Sequence, residues 1–288
     1  MSNVAEKPAA TLPVRSWRRR LLRWLRNGAI CYVGIIFVLL LLENKLIFHP
    51  VRASEDWIAP PNSLVQDIEL RLADGTRLHG WWCPTPGWQP DQGAMLYCHG
   101  NAGNLSYRAG SINHLQRELN VAVLIFDYPG YGKSEGKPSE ASCYAAADAA
   151  YDWLMQVGHV PGERIILYGG SLGGAVAVDL ASRRPHRALV LVRTFTSMPD
   201  EAQLLYPWLP ARWLVRTQFN SLAKIKHCTQ PVFIAHGTSD QLIPYVLGEK
   251  LFAAANEPKQ FCSMAGVDHN DGMTAQFYVC LRSFLSAE

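Results

Sequence analysis

Five residues, Gly169-Gly170-Ser171-Leu172-Gly173, place a serine between glycines two positions before and two after it. This Gly-x-Ser-x-Gly spacing has a steric meaning. Residues 164–168 (Arg-Ile-Ile-Leu-Tyr) predict a short buried strand, and residues 172–183, rich in Ala and Val, predict a helix. A strand that turns at once into a helix forces the corner residue into a strained backbone conformation, where flanking side chains would collide. The corner hydroxyl then stands at a helix N-terminus, where free N–H groups favour developing negative charge. A serine hydroxyl is a weak nucleophile until a base takes its proton, so the pattern is informative only if a base and its orienting group exist elsewhere.

Two later stretches supply them. Ile234-Ala235-His236-Gly237-Thr238-Ser239-Asp240 places the carboxylate of Asp240 just beyond a predicted strand, and Gly266-Val267-Asp268-His269-Asn270-Asp271 places the imidazole of His269 beyond the next. An imidazole titrates near neutrality and can take a proton and return it. A carboxylate holds that ring in one tautomer and stabilises its cation. Upstream, His99-Gly100-Asn101 ends another predicted strand. The backbone N–H groups of Asn101 and Leu172 are the expected donors to an oxyanion. Asp127 is a rival acid on an earlier strand, and its expected role is to brace the loop 128–132. Asp268 and Asp271 flank the histidine and compete with Asp240 for the orienting role. His99 and His236 precede glycines at strand ends and are read as loop braces, and His114, His159, His186 and His227 as surface or turn residues.

The elements that must position these groups follow from the hydrophobic pattern. Residues 65–72 and 77–83 form a predicted antiparallel pair about the turn Ala73-Asp74-Gly75-Thr76. Predicted strands at 94–98, 121–127, 164–168, 188–192, 231–236 and 259–264 then alternate with predicted helices at 107–119, 139–157, 172–183, 245–255 and 270–285. That alternation argues for a mostly parallel sheet covered by helices on both faces. In such sheets ligands sit beyond the carboxyl ends of the strands, where Asn101, Ser171, Asp240 and His269 all fall. Residues 204–215 (Leu-Leu-Tyr-Pro-Trp-Leu-Pro-Ala-Arg-Trp-Leu-Val) form an aromatic, proline-broken insert, read either as a small lid over an acyl pocket or as ordinary packing at the sheet edge. The stretch from Thr194 to Cys228 is too short for a large cap domain.

The 288-residue chain carries a net charge of +3, unevenly spread. Its first 42 residues hold seven Lys and Arg against one acid, leaving 20 basic and 23 acidic residues for the rest. The folded part thus offers no case for nucleic acid. The seven cysteines show no CxxC spacing, so no zinc or thioredoxin-like site is expected. The basic run 17–26 precedes the apolar residues 28–42. Fifteen helical residues rise about 22 Å, short of a hydrocarbon core of about 30 Å, but Leu21, Leu22, Trp24 and Leu25 extend the span if the arginines snorkel to the headgroups, and Leu46, Ile47 and Phe48 extend it at the other end. A cleaved signal peptide is the competing reading. Glu43-Asn44-Lys45 follows where a small-residue cleavage site belongs, which favours an uncleaved anchor. The expected organisation is a cytoplasmic tail at 1–20, a transmembrane anchor at 21–48 and a catalytic domain at 49–288 on the non-cytoplasmic side, in the periplasm if the source is bacterial.

Taken together, the words His99–Asn104, Tyr128-Pro129-Gly130-Tyr131-Gly132-Lys133-Ser134, the Ser171 corner, His236–Asp240 and Gly266–Asp271 resemble the α/β-hydrolase superfamily from about residue 46 to 285. With Leu46-Ile47-Phe48-His49-Pro50 after the anchor, the chain looks most like its membrane-anchored ABHD-type serine hydrolases. The resemblance implies an α/β-hydrolase fold, no cofactor, and hydrolysis of an ester, thioester or peptide bond in a small-molecule or lipid-like acyl substrate. One departure is the His-Gly-Asn loop at 99–101, where many lipases have His-Gly-Gly-Gly. The alternatives are aminopeptidase-like peptide cleavage and, from a different class, a catalytically silent membrane scaffold built on a hydrolase fold.

Overall fold

The computed structural model describes residues 15–287. Most of the expected tail lies outside them. The chain divides into two compact units at Glu43/Asn44. The first contains most of helix α1 (Arg15–Ile47), whose segment Trp17–Ile47 is long and apolar enough to cross a membrane. The regular helix runs past the apolar core predicted at 28–42, because Lys45 is a good helix former and Leu46 and Ile47 continue the apolar pattern.

The second unit is built on an eight-stranded sheet. Its strands are β1 (Gln66–Arg71), β2 (Arg77–Cys83), β3 (Ala94–Cys98), β4 (Ala122–Phe126), β5 (Ile165–Gly170), β6 (Ala188–Val192), β7 (Val232–Gly237) and β8 (Lys259–Met264). In space they run β8-β7-β6-β5-β3-β4-β2-β1. β1 and β2 pair antiparallel, as do β2 and β4, and every other neighbouring pair is parallel. Strands β3, β4 and β6 are buried from end to end, which explains why none of them carries a charged residue and why β4 and β6 are runs of Val, Leu and Ile: both faces are covered.

Helices α3 (Glu140–Gln156), α4 (Leu172–Ala181) and α6 (Tyr245–Ala254) contribute to the core on one side of the sheet. Helices α2 (Ala109–Leu119) and α7 (Ala275–Ser286) contribute to the core on the other. All ten residues of α4 are buried, and the only charged one, Asp179, is paired with Arg183 at 2.6 Å and Lys224 at 2.7 Å. Between β6 and β7, helix α5 (Met198–Leu205) and two four-residue helices at 211–214 and 221–224 form a small insert, in keeping with the short chain length there. Tyr206, Trp208 and Trp213 in this insert are exposed.

The topology positions the chemistry. β3 lies between β4 and β5, so the chain leaves β3 for one side and returns on the other. The register pairs Cys98 with Gly169, Gly170 with Val192, Val192 with Ala235, and Gly237 with Met264. The carboxyl ends of five parallel strands are therefore level, and the segments bearing Asn101, Ser171, Asp240 and His269 leave from one rim.

Candidate active site

Ser171 stands between β5 and α4 with φ 55° and ψ −127°, a left-handed conformation that a non-glycine residue adopts only under constraint. Three hydrogen bonds to its main-chain atoms provide it. The Ser171 N–H donates to Val192 O at 2.9 Å, and the Ser171 carbonyl accepts from Gly174 N at 2.9 Å and from Thr194 Oγ1 at 2.7 Å. The flanking glycines are required by close approach. A Cβ at Gly169 would lie 2.3 Å from Gly173 O, and one at Gly173 would lie 2.0 Å from Cys98 O. The elbow is thus wedged against the end of β3. Ser171 itself is partly exposed at this corner.

The loop after β3 borders the serine: a Cβ on Gly100 would sit 3.3 Å from Ser171 Cβ and 3.8 Å from its Oγ. His99, fully buried, shapes this loop. Its Nδ1–H donates to Gly100 O at 2.7 Å. In a trans peptide the N–H points opposite to the carbonyl, so this bond turns the Asn101 N–H away from the His99 ring. Asn101 is further fixed by its carbonyl, which accepts from Tyr131 Oη at 2.7 Å, and by its side chain, which donates to Ile47 O at 2.7 Å. The other expected donor, the Leu172 N–H, is on the first residue of α4, where helix amides have no intrahelical acceptor.

Burial pushes the His99 imidazole down to about 4, against the pull of Asp127. A histidine neutral in the fold but free to protonate when unfolded stabilises fully above its unfolded value near 6.5 and progressively less as the pH falls toward 4. Stability should therefore drop by up to about 3 kcal/mol over that window from this residue alone. Urea unfolding at pH 7.5 and pH 4.5 checks this, and His99→Gln should lose that part of the dependence.

His269 and Asp240 meet directly. His269 Nδ1 donates to Asp240 Oδ2 at 2.8 Å, although they are 29 positions apart in sequence. The other carboxylate oxygen, Oδ1, accepts from Ile243 N at 2.7 Å and Leu242 N at 3.1 Å. His236 Nε2 lies 3.3 Å from Asp240 Oδ2 and 2.9 Å from Ile243 O, so it braces the loop that carries the acid. Burial by itself would raise the Asp240 carboxyl, but the hydrogen bonds from His236, His269 and Ile243 outweigh it and hold it well below the usual carboxylate range.

The rival acids are otherwise engaged. Asp268 Oδ1 accepts from His269 N at 2.7 Å and Gln241 N at 3.0 Å, and Asp271 Oδ2 from Asp268 N at 2.8 Å. Asp127 is fully buried, accepts from Leu105 N at 2.8 Å, and receives the Ser134 hydroxyl on its carbonyl at 2.8 Å. Both contacts brace loops. The deeply buried thiols are poor nucleophiles: burial pushes Cys83 and Cys228 up to about 12, and Cys98 and Cys143 higher still. Among the described residues no group of His, Cys, Asp and Glu is arranged to hold a metal.

Sequence reasoning missed three contributors. Thr194 holds the Ser171 carbonyl, His236 touches the acid as well as its loop, and Arg193 reaches the histidine loop with Nη1 2.6 Å from His269 O. Nothing in the local pattern announces Thr194 or Arg193. Both follow an ordinary apolar strand, and their partners are remote in sequence. Helix α7 also begins at Ala275 rather than near Asn270, because Thr274 caps it and the residues before it are spent on the histidine loop.

With this geometry in view, known proteins provide a comparison. A family model described as alpha/beta hydrolase fold matches residues 93–223, a span that holds the His99–Asn101 loop and Ser171. An uncharacterized protein of Mycobacterium tuberculosis is 40% identical over 244 residues, covering 84% of this chain and 86% of that one. The alpha/beta hydrolase domain-containing protein WAV2 of Arabidopsis thaliana is 30% identical over 272 residues, covering 85% of each. Among solved structures, the Pyrococcus furiosus esterase Pf2001 superposes with a TM-score of 0.67 over 84% of this chain and 98% of that one, at 20% identity. At such identity the likeness is one of fold.

Proposed function

This chain belongs to the α/β-hydrolase family, and from that premise we propose that it is a membrane-anchored serine hydrolase acting on carboxylic esters or thioesters. The observation that carries the reading is the Asp240–His269 hydrogen bond on the same strand-end rim as the left-handed Ser171 elbow. In this mechanism Ser171 Oγ attacks the acyl carbon as its proton passes to His269 Nε2, while Asp240 accepts the Nδ1–H and stabilises the imidazolium. The carbonyl oxygen takes the negative charge and is received by the N–H groups of Leu172 and Asn101. His269 then returns the proton to the departing alkoxide or thiolate. A water molecule repeats the sequence on the acyl-enzyme and restores Ser171. The protein supplies every group these steps need, so no cofactor enters.

The proposed organisation keeps residues 1–20 as a cytoplasmic tail, 21–48 as the anchor and 49–288 as the catalytic domain across the membrane. Supporting it is a helix whose Leu22, Trp24, Ile30, Phe37 and Leu41 side chains are each more than half exposed, an apolar surface at home in lipid. The arginines at its start set the orientation. The substrate would be a small-molecule or lipid-like acyl compound.

Detergent-extracted full-length protein should be labelled by a fluorophosphonate probe at Ser171, located by peptide mass spectrometry. It should also hydrolyse p-nitrophenyl esters in preference to amino-acid anilides. Faster turnover of anilides would move the reading to peptide hydrolysis. A folded protein that takes no probe would leave the silent scaffold as the better account.

A further inference from the structure

The loop that carries His269 has little regular structure. Ten residues, 265–274, separate β8 from α7, and most are at least partly exposed. A catalytic imidazole on such a segment needs an external restraint, because a misplacement of about 1 Å can cost about 10²-fold in rate. Asp240 restrains the ring, but something must restrain the backbone.

Arg193 meets that need. It follows β6, is 4% exposed, and is held to β7 by its own N–H, which donates to Ala235 O at 2.9 Å. Its φ of 48° is left-handed, so the chain bends sharply at this residue. The guanidinium then reaches 76 residues along the sequence. Nη1 donates to His269 O at 2.6 Å and to Asp271 O at 2.7 Å, and Nη2 lies 3.5 Å from Gly272 O and 3.8 Å from Met273 Sδ. One buried cation thus gathers the carbonyls of the turn just where the imidazole departs from the chain. Burying a guanidinium is costly, and here its short contacts are carbonyl oxygens rather than a carboxylate, with Nε left without a partner. A fixed planar fork suits this task, since it offers several donors in one rigid geometry.

We propose that Arg193 is a positioning residue that latches the 269–272 backbone to the end of β6 and so holds His269 in line with Ser171. The proposal rests on the reading of Ser171, His269 and Asp240 as the reacting triad. It adds a fourth group that touches no substrate and acts through His269 alone.

The test uses full-length protein in detergent, with active sites counted by fluorophosphonate titration and turnover measured on p-nitrophenyl acetate. Per titrated site, Arg193→Met should lower kcat by about 10²-fold while KM stays within about threefold, because the latch acts on alignment and not on binding. Arg193→Lys retains a buried cation that can donate to carbonyls, and should recover part of kcat. Thermal melts separate this from general instability, which would reduce the titratable fraction and leave kcat per site intact. A folded Arg193→Met with wild-type kcat per site would overturn the proposal. If that variant fails to fold, Arg193→Lys decides: reduced kcat with unchanged KM supports the latch, and wild-type kcat overturns it. Wild-type protein that is never labelled at Ser171 would instead remove the triad reading, and the latch with it.

Discussion

Ser171→Ala should lower kcat/KM for p-nitrophenyl acetate by about 10⁴- to 10⁶-fold and leave the protein folded. The size of the loss follows from the chemistry. Without Oγ there is no acyl-enzyme, and only the oxyanion donors and substrate binding remain to accelerate attack by water. The folded state should survive because the elbow is held by its backbone. The bonds to Val192 O, Gly174 N and Thr194 Oγ1 all use main-chain atoms of residue 171. Alanine meets the same strain at φ 55° that serine already bears. Steady-state kinetics, a thermal melt and loss of fluorophosphonate labelling check the three parts together. A variant that keeps a tenth of wild-type activity would mean the nucleophile lies elsewhere.

Asp240→Asn should cost about 10⁴-fold in kcat near neutral pH. The carboxylate accepts from His269 Nδ1, so the proton sits on Nδ1 and Nε2 is free to act as the base. The acid's other oxygen is committed to Ile243 N and Leu242 N, both donors. An asparagine must keep its carbonyl oxygen toward those two amides. Its NH₂ then faces His269 and donates to Nδ1, which moves the ring proton to Nε2 and removes the base. The imidazolium also loses its counter-charge. Slow residual fluorophosphonate labelling is expected, since the hydroxyl remains, and the deficit should fall in kcat rather than KM. Were Asp240→Asn to retain near-wild-type kcat, the orienting acid would have to be sought elsewhere. Asp268 and Asp271 are poor substitutes because their carboxylates already bind backbone amides of their own loop and of Gln241.

Much of this protein could be read from its order of residues. The eight strands fall close to where apolar runs and turn residues predict, and β6 (Ala188–Val192) and β8 (Lys259–Met264) begin and end where expected. The glycine spacing at Ser171 is legible because a strand that turns at once into a helix leaves no room at its corner: a Cβ on Gly169 would meet Gly173 O, although the space at Gly173 is closed by Cys98 O at the end of β3. The strand-end positions of Asn101, Asp240 and His269 are legible for a related reason, since a polar residue after an apolar run leaves the sheet. One small departure joins a local cause to a distant one. Helix α2 starts at Ala109 because residues 105–108 form a tighter turn capped by Asn104, whose amide reaches back to Val51 O and Asp56 O.

The tertiary structure decided what no window of sequence contains. It chose Asp240 over Asp127, Asp268 and Asp271 as the partner of His269, by the lateral order of strands and by which oxygens were already taken. It turned an undistinguished arginine after a plain apolar strand into a clamp on a loop 76 residues away. The physical reason is one of range. Sterics and periodicity act between near neighbours and leave their mark on local composition, whereas these contacts exist only once β6, β7 and β8 lie side by side in register.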